Sequence, residues 1–295
     1  MRVLALDGGG IRGLIPALVL AEIERRTGRP IRELVDLVAG TSTGAILACA
    51  LTRPDPLPAA RIAELYVEEG PRIFDRSLLK RITSVDGYLD ERYDDDGLRA
   101  VLEQWLGSAR LADADPAVLI TVYDLERRRA VLLRRADDLS MVDAAHASSA
   151  APTYFEPVRA GGATLVDGGV FAINPAALAY AEVDGALDLL VSLGTGEQTR
   201  PLPYDEVRGW GRLEWAEPIL DVVFDCSADA VDLQLSALLE DSYVRLQTPL
   251  VEASDDLDDA SEDNLAALAR EAERLIAARD ADIDRVCERL LSAST

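Results

Sequence analysis

Twice within its first 52 residues the chain passes from a short apolar run into glycines and then into a helix-compatible stretch. Residues 3–6 run into Asp7-Gly8-Gly9-Gly10-Ile11-Arg12-Gly13, and residues 34–39 run into Gly40-Thr41-Ser42-Thr43-Gly44. A strand that turns at once into a helix needs close backbone approach and unusual φ values, which glycine supplies without a Cβ clash. Repetition of that unit leaves few architectures. Strands alternating with helices build an open, mainly parallel sheet covered on both faces.

The rest of the chain fits the same α/β class, a three-layer α/β/α sandwich. A helix is expected over residues 14–26, with Pro16 tolerated in its first turn and Gly28-Arg29-Pro30 ending it. A second, buried helix follows over 45–51. Residues 54–115 read as a helical insertion, with an amphipathic stretch over 98–106. Residues 118–123 and 130–133 are strand-like, and the polar link 124–129 predicts a hairpin. Strands over 164–166 and 187–193 flank a helix near 175–181. One long amphipathic helix is expected over 265–291.

Charge divides the chain. Residues 201–295 carry 23 acidic and 8 basic side chains. Residues 1–200 are therefore read as the core domain, and 201–295 as a mostly helical acidic extension packed on it. The dense acids of 252–263 lack the alternation and the glycine of a calcium loop and suit a solvated segment before a helix.

Composition narrows the function classes. A formal net charge of −23 repels phosphate backbones, so nucleic acid is excluded as a partner, and it gives no general attraction to anionic bilayers. The uncharged run 37–52 spans 16 residues and holds two glycines, too short to cross a membrane. Three scattered cysteines and no secretory leader pattern predict reduced thiols and a cytoplasmic location. With a single histidine, His146, a multi-histidine zinc site is not expected, and no metal or cofactor is called for.

Gly40-x-Ser42-x-Gly44 has the form of a nucleophile elbow, in which Gly40 and Gly44 let a strand turn sharply and expose a serine hydroxyl. A serine hydroxyl needs a base. His146 sits in a small-residue helical pattern and is read as a helix-surface residue. Asp167, in Asp167-Gly168-Gly169 after a strand, is the alternative base. The loop 7–13 opens a helix, so its N–H groups are free to face an anion. It also matches Gly8-x-Gly10-x-x-Gly13, a dinucleotide fingerprint, but no acidic residue ends the second strand where a ribose would need one.

The combination resembles the patatin-like phospholipase family. Four ordered elements carry the resemblance: residues 7–13, residues 40–44, Ala147-Ser148-Ser149-Ala150-Ala151-Pro152-Thr153-Tyr154-Phe155, and Asp167-Gly168-Gly169-Val170 followed by Asn174-Pro175. Ser192-Leu193-Gly194-Thr195-Gly196 matches a later strand end, so the likeness spans about residues 1–200. It implies phospholipase A-type or lysophospholipase-type ester hydrolysis by a Ser42–Asp167 dyad. Gly9, Gly10, Ile11 and Arg12 would lie in the oxyanion-hole loop, and Arg12 would either hold that loop or meet a lipid phosphate. The implied partner is a phospholipid or other acyl lipid. Ile73, Phe74, Leu78 and Leu79 beside Arg72, Arg76, Lys80 and Arg81 read as an ordinary amphipathic helix with snorkelling arginines, or as the patch for peripheral contact with a membrane or micelle. The alternatives are an esterase on soluble acyl esters, and a regulatory protein that holds a nucleotide or other anion on the glycine loop.

Overall fold

A computed structural model of the chain describes residues 1–74, 80–83, 89–93, 95–183, 187–212, 214–215 and 218–292. The strands are β1 (Arg2–Leu6), β2 (Leu37–Gly40), β3 (Lys80–Thr83), β4 (Leu89–Arg92), β5 (Ala117–Asp124), β6 (Arg129–Leu133), β7 (Val158–Ala160), β8 (Ala163–Asp167), β9 (Leu189–Leu193) and β10 (Tyr243–Leu246). The central sheet runs β10-β9-β1-β2-β5-β8-β7, with β6 also paired to β5. From β10 to β5 every pair is parallel. β6, β7 and β8 join in antiparallel fashion, and β5–β6 is the expected hairpin. Parallel strands end on one edge, so the loops after β1, β2, β9 and β10 gather there.

The helices are α1 (Leu14–Thr27), α2 (Thr43–Thr52), α3 (Ala59–Ile73), α4 (Asp95–Leu106), α5 (Met141–Ser149), α6 (Gly169–Ala172), α7 (Ala176–Glu182), α8 (Tyr204–Val207), α9 (Pro218–Leu239), α10 (Glu262–Ala278) and α11 (Asp280–Leu291). Alternate side chains of β1 separate the two cores. Leu4 and Leu6 join α1, α2 and α5, while Val3 and Ala5 join Ala176 and Ala179 of α7 and Leu235 of α9. This period-2 division of buried residues defines the three layers. α1 ends at Gly28 in the left-handed region, with Arg25 and Arg26 in its last turn facing the negative helix end.

Three expectations change. The insertion 54–115 is not all helical: β3 and β4 pair antiparallel, with Lys80 opposite Arg92. Lys-Arg-Ile-Thr and Leu-Asp-Glu-Arg carry no apolar alternation, so they give no strand signal. The segment after residue 200, read as a mostly helical extension packed on the core, also supplies a strand of the core sheet, β10 beside β9. Four residues between a helix and a proline-bearing loop are too short for a pattern. Finally, the last helix breaks at Arg279 into α10 and α11, both packed on α1. Arg26 of α1 holds the start of α11 through Asp280 at 2.8 Å and Asp284 at 2.7 Å.

Candidate active site

Ser42 stands between β2 and α2 with φ 55 and ψ −125, a backbone state that costs a non-glycine residue about 1–3 kcal/mol. Its neighbours explain how the turn is held. A Cβ on Gly40 would strike the backbone of Gly44, and one on Gly44 would strike the Leu6 carbonyl. The Ser42 N–H donates to Ser148 Oγ at 2.9 Å, and that hydroxyl donates to the Thr121 carbonyl at 2.7 Å. Ser148, on α5, thus pins the elbow to β5.

Asp167 ends β8 and is buried. Its Oδ1 accepts from the Gly169 N–H at 2.7 Å. Burial pushes its pKa up to about 7, while hydrogen bonds from the Ser42 side chain and the Gly169 N–H act in the opposite direction. Ser42 and Asp167 line the same cavity.

The glycine loop closes one wall of that cavity. Gly8 N–H donates to the Ile173 carbonyl at 3.0 Å, Ile11 N–H to the Leu257 carbonyl at 2.9 Å and Arg12 N–H to the Gly9 carbonyl at 3.1 Å. Those three donors are therefore occupied. Among the described residues the N–H groups of Gly9 and Gly10 have no acceptor. Thr43, the first residue of α2, is in the same position, as the open end of a helix dictates. Thr43 was not singled out from the sequence, although its place directly after the elbow serine is the available signal.

Beyond these groups the cavity is apolar, walled by Phe74, Leu98, Leu102, Trp105, Tyr154 and Phe155. Phe74 packs edge-on to Tyr93 with ring centroids 5.7 Å apart. Ile73 and Phe74 therefore face this interior rather than forming an interfacial patch. Arg76, Leu78 and Leu79 lie outside the described residues, as do the side chains of Lys80 and Arg81.

The acidic segment before α10 is not a free solvated loop. Leu257 is buried, its carbonyl takes the Ile11 N–H, and Tyr93 OH donates to Asp258 Oδ2 at 2.6 Å. A Cβ on Gly10, whose φ is 56, would run into the Leu257 carbonyl. One leucine among the acids of 252–263, with Ala253 and Ala260, is too sparse an apolar signal to announce burial from sequence.

His146 also differs from expectation. It is 4% exposed, both ring nitrogens lack partners among the described residues, and it does not line the cavity. Burial and the Arg99 charge press its pKa down to about 4, so the ring is neutral. Small alanines on α5 let the helix sink against β5 and β8 and carry the ring inward.

Residues 4–180 match the family model described as Patatin-like phospholipase, and the chain belongs to that family. Patatin-like protein 2 of Arabidopsis thaliana is 32% identical over an alignment covering 93% of this chain and 82% of that protein. Patatin-15 of Solanum tuberosum is 31% identical, covering 93% and 83%. Coverage of this extent means that the alignments run past residue 200, into the segment that supplies β10 and Leu257. The crystal structure of VipD from Legionella pneumophila superposes with a TM-score of 0.42 at 13% identity, over 94% of this chain and 67% of that one.

Proposed function

We propose that the protein is a serine lipid acyl hydrolase of phospholipase A or lysophospholipase type, with Ser42 as nucleophile and Asp167 as general base. The observation that carries this reading is a buried carboxylate, Asp167, on the same cavity wall as a serine in a strained elbow, and burial pushes that carboxyl up to about 7. A carboxylate near its ordinary value is a weak base at neutral pH, whereas one raised toward 7 accepts a proton effectively.

Ser42 Oγ attacks the ester carbonyl carbon as its proton passes to Asp167. The oxyanion that forms is met by the open N–H groups of Gly9 and Gly10, with Thr43 at the positive end of α2 beside them. Collapse breaks the ester C–O bond, and Asp167 returns the proton to the leaving alkoxide. Water then attacks the acyl-serine, giving its proton to Asp167. The acyl–Oγ bond then breaks, Asp167 returns the proton to Ser42 Oγ, and the fatty acid leaves. The apolar walls suit an acyl chain and, by excluding water, also raise the Asp167 pKa.

The test is fatty-acid release from mixed-acyl phospholipid micelles, followed by mass spectrometry for wild type and Ser42→Ala. Release by wild type and not by the variant supports the proposal, and the chain released names the position attacked. No release by wild type, or equal release by both, overturns it.

A further inference from the structure

A second, polar cavity abuts the first, and Arg12, Ile173 and Phe224 line both. α9 runs along it with Asp221, Asp225, Asp229 and Asp232 at spacings of four, four and three, which places them on one helix face. Asp225, Asp229 and Asp232 line the cavity together with Glu197. None of these four carboxylates is in an ion pair among the described residues. Such a stripe alone would be an ordinary solvated face.

Two buried groups at the inner end make it more than that. Asp7, 3% exposed, accepts from Arg245 at Oδ2, yet among the described residues its Oδ1 has no partner. Arg12, 6% exposed, donates a long hydrogen bond to the Asp255 carbonyl at 3.4 Å, and among the described residues its Nε has no partner. A buried polar atom left without a partner costs about 1–3 kcal/mol, so a cavity lined by such atoms favours a polar occupant. The neighbouring carboxylates also crowd one another. Burial raises the Asp225 pKa, and Asp229 and Glu197 raise it further against the pull of Arg12.

We infer that this second cavity is the headgroup subsite, taking the ammonium of a zwitterionic phospholipid of the ethanolamine or choline class while the acyl chain occupies the first. The inference rests on the hydrolase reading and names its substrate class. The lining sets Asp7, Glu197, Asp225, Asp229 and Asp232 against the guanidiniums of Arg12 and Arg245, an excess of negative charge that favours a cationic group. An organic ammonium fits better than a metal ion, because among the described residues no three acidic, histidine or cysteine groups converge closely enough to ligate one. Position supplies the rest: the cavity adjoins the wall that carries Gly9, Gly10 and Ser42, where the ester must lie. Arg12, lining both cavities, sits where the intervening phosphate would pass.

Calorimetric titration of glycerophosphoethanolamine and glycerol 3-phosphate tests this without turnover. Wild type is expected to bind the first more tightly than the second. Asp225→Asn combined with Asp229→Asn is expected to weaken glycerophosphoethanolamine binding roughly tenfold. Glu273→Gln with Glu288→Gln, an equal charge change elsewhere, is expected to leave it unaltered. No binding, equal affinity for the two compounds, or equal weakening in both double variants overturns the proposal. In non-ionic micelles, the preference for phosphatidylethanolamine over phosphatidylglycerol of the same chains should fall in the first double variant. Hydrolysis of p-nitrophenyl butyrate by wild type and not by Ser42→Ala separates the two claims. Its failure with headgroup binding intact counts against the hydrolase. Its success without headgroup discrimination counts against the subsite alone.

Discussion

Arg245 donates to Asp7 Oδ2 at 2.5 Å, joining the last strand of the sheet to the loop after the first across 238 residues of chain. The same guanidinium donates to Ser192 Oγ at 2.8 Å, so β1, β9 and β10 are tied together beneath the glycine loop. Burial pushes the Asp7 pKa up and Arg245 opposes it.

Removing one partner strands the other charge in the interior. Arg245→Met is expected to destabilise the protein by about 3–5 kcal/mol, measured by urea denaturation. Asp7→Asn combined with Arg245→Met should recover most of that loss. A double variant as unstable as the single one would show that the pair is not the source.

Asp167 predicts opposite effects on activity and stability. Its pKa is raised from 3.8 to about 7 on folding, so its contribution is fully present below 3.8 and lost as pH rises through 7. At pH 8 the buried carboxylate costs on the order of 4 kcal/mol. Asp167→Asn should therefore lower ester hydrolysis by about 10²–10⁴ and yet raise the Tm at pH 8, with the gain vanishing near pH 4. An unchanged Tm at pH 8 would contradict the dry-pocket account.

The same value sets a rate profile. Wild-type kcat/KM is expected to climb with pH with a midpoint near 7, since only the ionised Asp167 accepts the serine proton. A stopped-flow or pH-stat series on a soluble ester from pH 5 to 9 measures it. A midpoint near 4 would remove Asp167 as the base.

His146 acts at the other end of the scale. With a folded pKa of about 4 against an ordinary 6.5, its neutral form contributes stability that is intact above 6.5 and is lost as pH falls through 4. The full effect is on the order of 3 kcal/mol. The stability difference between His146→Leu and wild type, followed by denaturation from pH 7.5 to 4.5, should shift in favour of the variant as pH drops. A constant difference would mean that the ring reaches water.

Much of the architecture is legible along the chain because its signals are local. Glycines at 8–10, 40 and 44 report the sharp strand-to-helix turns within a few residues, and apolar runs report β1, β2, β5 and β9. α1 and α2 follow from the same reading. The insertion hairpin and the break at Arg279 escape it, since short charged strands and a one-residue interruption leave the periodicity nearly untouched.

At the site the division is similar. The sequence alone determined the local geometry of the elbow and the glycine loop, because adjacent residues set φ, ψ and the absence of Cβ atoms. Only the tertiary structure decided which N–H groups of that loop stay open, since Leu257 occupies one from 246 residues away. It also decided that Asp167 is buried beside Ser42, that Arg245 neutralises Asp7, and that His146 turns inward. Those properties depend on desolvation and charge pairing between distant segments, and such energies exist only once the layers have packed.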